Sequence, residues 1–119
     1  MDQVGIVLEK TKVFDGDSFT AIASFYDRSL GEGETPATVH YRVDNVLSRS
    51  ISEAISDWVY VALGTGTSVA ISIPSSASAL VSTWNKSEKR LITVVADKDL
   101  DTQVTGQRTW TVLNRNLPL

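Results

Sequence analysis

Cysteine is absent from this chain. A disulfide framework and a thiolate metal site are therefore excluded, and the absence fits a reducing compartment without excluding export. Histidine occurs once, at His40, so general acid/base chemistry has a single candidate of the usual kind. No Lys/Arg block is present and the formal net charge is −3, which leaves nucleic acid without the basic footprint it needs. The longest apolar run, 58–63, is far shorter than the ~20 residues a membrane helix requires. Met1-Asp2-Gln3 opens without a basic n-region or an apolar h-region, so the chain reads as soluble and unprocessed, with no membrane partner. Internal repeats, heptads and low-complexity tracts are missing as well, and no Gly-x-Ser-x-Gly elbow occurs.

What is present is alternation. With 119 residues and 42% hydrophobic content, one domain over 1–119 is expected, large enough to bury about two thirds of its unfolded surface. Short runs of alternating apolar and polar residues recur along the chain, the period of side chains on opposite faces of a strand. The first run, 5–14, ends at Asp15-Gly16, a pair suited to a hairpin turn. Phe19, Ala21, Ala23 and Phe25 then form one face of 18–26, and the polar, glycine-containing 27–35 reads as an exposed loop. Ala37, Val39, Tyr41 and Val43 alternate with Thr38, His40, Arg42 and Asp44, the clearest strand in the chain.

Segment 45–57 fits either a short extra strand or a helical turn. A strand over 58–63 and a turn at 64–67 follow, then Val69, Ile71 and Ile73 on one face. Pro74 stops that strand. Ser75 or Ser76 is placed to cap a short helical turn around 76–84, with Leu80 and Trp84 four residues apart on one side. Strands over 90–97 and 105–114 flank an acidic hairpin loop at 97–101. The expected fold is all-β: an immunoglobulin/fibronectin III-like β-sandwich of about seven strands with Greek-key connections.

Candidate chemistry is sparse. His40 sits on the polar side of its strand with neither a nucleophile nor an orienting partner in view, so a solvent-face scaffold residue is the expected role. Asp97, Asp99 and Asp101 have the spacing that opens a calcium loop, but Leu100 and Thr102 stand in the wrong places. Arg108 occupies the twelfth position, where a bidentate Glu is required. No metal, and no other cofactor, is expected; Asp15 and Asp17 read likewise as turn residues. Trp58, Trp84 and Trp110 fit core or half-buried packing better than an aromatic platform for sugar rings, with Trp84 the best candidate for exposure.

The strand 37–44, the Trp58 strand, the run 68–74 ending in Pro74, and 88–97 together resemble the small fibronectin type III/immunoglobulin-like virion proteins of tailed bacteriophages, over about residues 36–114. The resemblance implies a non-enzymatic structural protein of the virion, a capsid decoration or head-associated accessory protein. It would be present in many copies, meet other virion proteins (capsid or connector subunits) by multivalent contact, and reside in host cytoplasm during assembly. A carbohydrate- or receptor-binding β-sandwich module is the alternative, and a tail or head-to-tail connector accessory protein the second. Contacts are expected from the 28–35 loop, through Arg28, Leu30, Glu32 and Glu34, and from the terminal segments 1–5 and 114–119, through Asn114, Arg115 and Leu117.

Overall fold

A computed structural model describes residues 1–48, 50–63 and 65–117. Its first sheet is organised by β3 (Phe19–Asp27), whose Phe19, Ala21, Ala23 and Phe25 are buried while Ile22, Ser24 and Tyr26 face outward. β1 (Gln3–Leu8) runs antiparallel along one flank, Gln3 facing Tyr26 and Leu8 facing Ala21. β8 (Ser68–Ile73) and the two-residue β4 (Glu32–Gly33) share the other flank, making four strands.

The second sheet has six strands. β9 (Ser87–Ala96) lies antiparallel between β5 (Val39–Ser48) and β10 (Val104–Leu113). β2 (Lys12–Phe14) pairs parallel with β10, and β6 (Ile51–Ala54) and β7 (Val59–Val61) share the far flank of β5. The architecture is an all-β, sandwich-like arrangement of two sheets around one core.

In that core Trp110, 1% exposed, meets Phe19 edge to face at 5.2 Å between ring centres, joining the two sheets, and its indole N–H donates to Ser78 Oγ at 3.2 Å. Edge-to-face packing suits the ring quadrupoles. Val39, Tyr41 and Val43 are buried as the alternation requires, with Thr38, His40 and Arg42 half-buried on the other face. At the sandwich margin β1 presses against β10. A Cβ added to Gly106 would stand 2.5 Å from the Val4 carbonyl oxygen, so only glycine permits that approach.

Several expectations are corrected. Asp15-Gly16 closes no hairpin, because β1 and β2 belong to different sheets and β3 returns to the first. The exposed polar residues Glu9, Lys10 and Thr11 interrupt the alternation, and there the chain changes sheets; Gly16, at φ 82°, turns it back. Residues 27–35 are largely exposed as expected, but in place of a loop throughout they form a tight turn followed by β4, which pairs back onto β3. Within the open segment 45–57, β5 continues to Ser48 and β6 follows, with a register irregularity between Val46 and Ser48.

The helical turn is shorter than expected, a 3-10 turn at Ser75–Ser78 with no side-chain cap. Leu80 is half-buried and Trp84 is 87% exposed, so the two do not pack as a pair. The expected strand over 58–63 reduces to three residues on a sheet edge, with Tyr60 63% exposed. Gly64 of the expected turn, and positions 118 and 119 of the expected contact segment, lie outside the described residues. Among the described residues no helix is long and apolar enough to cross a membrane.

Candidate docking surface

Strand parity builds this surface. The inward face of β9 that carries Ile92, Val94 and Ala96 extends back through Arg90 and Glu88, so two charged residues are buried at one end of the sandwich. Isolated charges there would be costly, and both are paired and hydrogen-bonded. Arg90, fully buried, spends all five guanidinium donors. Nε donates to Ala77 O at 3.0 Å, Nη1 to Asn45 Oδ1 at 2.6 Å and Lys89 O at 3.4 Å, and Nη2 to Ala79 O at 2.7 Å and Glu88 Oε1 at 2.8 Å.

Glu88 spends its own oxygens on the next segment. Oε1 accepts from Val81 N–H at 2.9 Å, and Oε2 accepts from Ser82 N–H at 3.0 Å and from Asn85 Nδ2 at 2.8 Å. Burial by itself pushes the Glu88 carboxyl up, but the bonds from Val81, Arg90, Ser82 and Asn85 together hold it down at about 2.

Two further side chains finish the anchoring. Asp15 Oδ1 accepts from Leu80 N–H at 3.0 Å, and Asn114 Nδ2 donates to Thr83 O and Asn85 O, each at 2.9 Å. The 79–86 crossover is thus held by Asp15, Glu88, Arg90 and Asn114 while presenting Val81, 60% exposed, and Trp84 at its outer surface. Beside it, a groove of about 380 Å³ runs between the crossover and β5, lined by Asn45, Leu47, Asn85, Lys89 and Thr111 among others.

The expected contact residues divide between the two ends. At this end Asn114 is 4% exposed and serves as an anchor, which removes it as a contact residue; its amide is consumed by the crossover backbone. Arg115 is exposed, ion-paired to Asp17 at 2.7 Å and stacked 5.0 Å over the Phe14 ring, and Leu117 is half-buried. Register places β4, and with it the 28–32 turn, at the opposite end, beside the start of β1. There Asp27 Oδ1 accepts from Ser29 N–H, Ser29 Oγ and Leu30 N–H, and the Ser29 hydroxyl and Leu30 amide hold its carboxyl well below the usual carboxylate range. The turn so fixed exposes Arg28, Leu30 and Glu32, while Glu34 pairs with the Met1 amino group at 2.8 Å.

The remaining candidates have local explanations. His40 packs edge to face against Tyr60 at 5.6 Å, with Nδ1 buried and unpartnered, so it is less exposed than a solvent-face residue. Asp97, at φ 55°, is buried, accepting from Ala37 N–H at 2.6 Å and from Thr102 Oγ1 at 2.7 Å. Asp17 accepts from Phe14 N–H at 3.0 Å in the expected turn role, whereas Asp15 departs from it by reaching across to Leu80 N–H. Trp58 is half-buried, with Arg42 and Lys98 lying 4.9 Å and 5.4 Å from its ring centre.

Sequence reading missed Glu88, Arg90 and Asn114 as anchors. A signal was available for the first two: both have the parity of Ile92 and Val94, a pattern that places charge inside. No protein-family model matches the chain, and a search of the curated proteins finds no relative.

Proposed function

We propose that this protein is a non-enzymatic structural component of a tailed-phage particle, a capsid decoration or head-associated accessory protein that docks on neighbouring virion subunits in many copies. The single observation that carries a docking role is Trp84, 87% exposed on a crossover fixed by buried charged and amide side chains. An indole held in place before contact loses little freedom on binding, and Trp is among the residues that dominate interface energies. Repetition on a symmetric lattice would sum modest contacts into firm attachment.

The strand order supports the immunoglobulin/fibronectin III-like part of this reading. β3 crosses from one sheet to β5 in the other, β8 returns beside β3, and β9 and β10 complete the second sheet. Mass spectrometry of gradient-purified particles tests the proposal. The protein is expected in the particle in stoichiometric amount, and Trp84→Ala is expected to lower its occupancy while the fold is retained. Absence from particles overturns the virion role.

A second reading, a carbohydrate- or receptor-binding module, draws on Tyr60 and the half-buried Trp58 beside His40, Arg42 and Lys98. Glycan-array binding that is lost on Tyr60→Ala would favour it over the first.

A further inference from the structure

We propose that β8 is a self-pairing edge through which two copies of this chain join their first sheets into one continuous sheet. An unpaired strand edge offers a row of backbone donors and acceptors to another strand, and proteins ordinarily guard such edges with charge, shortness or cover. The other margins here are guarded. β1 is closed in by β10 at Gly106, β2 carries Lys12, β4 has two residues including Glu32, β6 carries Glu53, and β7 has three residues.

β8 has none of these devices. It is six residues long, Ser-Val-Ala-Ile-Ser-Ile, with no charge and no proline. Among the described residues its only strand partner is β3, and no hydrogen bond outside that ladder involves Ser68–Ile73.

The pattern of β8 selects a second copy as the occupant. Val69, Ile71 and Ile73 have one parity and point toward the core, while Ser68, Ala70 and Ser72 have the other and are exposed. Residues directly opposite in an antiparallel pair share a face, so a two-fold axis through Ala70 or Ile71 sets small against small and apolar against apolar. No charge meets charge in either register, and the contact is closed and isologous. On the outer face, Val7 lies opposite Ile22 and Ile22 opposite Ala70, an apolar row that pairing would continue into the second copy. This inference does not depend on the virion role.

Sedimentation equilibrium of the full chain, from low micromolar to near-millimolar concentration, tests it. The wild type is expected to rise from monomer mass toward dimer mass. Ala70→Lys, at an exposed position that faces its counterpart when the axis passes through Ala70 and lies diagonal to it when the axis passes through Ile71, is expected to stay monomeric with an unchanged melting temperature. An equimolar mixture of Ala70→Lys and Ala70→Glu is expected to recover the dimer. A wild type that remains monomeric throughout overturns the proposal, as does an Ala70→Lys variant that dimerises as the wild type does.

Discussion

Glu88 and Arg90 stand two residues apart on the inward face of β9, their charged groups 2.8 Å apart, and between them they hold both the entrance and the middle of the crossover that carries Trp84. A buried pair of this kind is a weak source of net stability while intact, yet removing one partner leaves the other charge stranded. Arg90→Met should cost about 3–5 kcal/mol in chemical denaturation, more than an exposed charge such as Arg108→Ala, for which about 0.5 kcal/mol or less is expected.

Glu88 also sets a pH dependence. Its folded-state pKa is depressed from 4.5 to about 2, so its contribution is fully present above the unfolded value and is lost as pH falls from about 5 toward 2. The loss across that window should reach about 3 kcal/mol. Urea midpoints measured through the window should fall for the wild type and fall less for Glu88→Gln, which starts out less stable.

Gly106 and Gly5 form a matched pair of tests. A Cβ at Gly106 meets the Val4 backbone oxygen, whereas one at Gly5 meets nothing within 4 Å. Gly106→Ala should destabilise by about 1–3 kcal/mol through forced separation of β1 and β10, and Gly5→Ala should be close to neutral. Equal thermal shifts for the two would contradict the close approach.

Trp84→Ala should leave the unfolding midpoint within about 0.5 kcal/mol of wild type, because the indole lies outside the packed structure. Trp110→Ala should cost about 3–5 kcal/mol. The contrast separates an exposed tryptophan available for docking from one that supports the fold, and parallel denaturation curves would reveal any error in that assignment.

Asp97 should behave as a turn fastener. Both its carboxylate oxygens already accept protein hydrogen bonds, and Arg108 stands where a calcium loop would need its closing carboxylate. The melting temperature is expected to stay constant on addition of calcium or chelator. Asp97→Ala should lower it, through loss of the bonds to Ala37 and Thr102 and the strain of a β-carbon-bearing, non-Asx residue at positive φ.

The parts of the fold legible in the sequence are those fixed by local period. Val39 to Val43 alternate without interruption and Phe19 to Phe25 alternate except at the outward Ile22, and their buried faces follow from that period. Which sheet a strand joins is decided by partners distant in sequence, so the separation of β1 from β2 could not be read from the run 5–14. The anchoring of the Trp84 crossover was hidden for a related reason. Glu88, Arg90 and Asn114 have polar side chains that read as surface, and only the three-dimensional path of 79–86 gives them buried partners. Trp84 was the best candidate for exposure among the three tryptophans, but its expected pairing with Leu80 required a helical turn that ends at Ser78.

The placement of the 28–32 turn and the Trp84 crossover at opposite ends of a body 48 Å long gives the molecule the form of a strut. Partners gripped at its two ends would be kept apart by the length of the sheets, and the separation would be as stiff as the hydrogen-bond ladders that run between them. Lengthening the strands of both sheets by matched pairs of residues would move the two ends apart by about 7 Å per pair without altering either grip, so spacing and adhesion could vary independently.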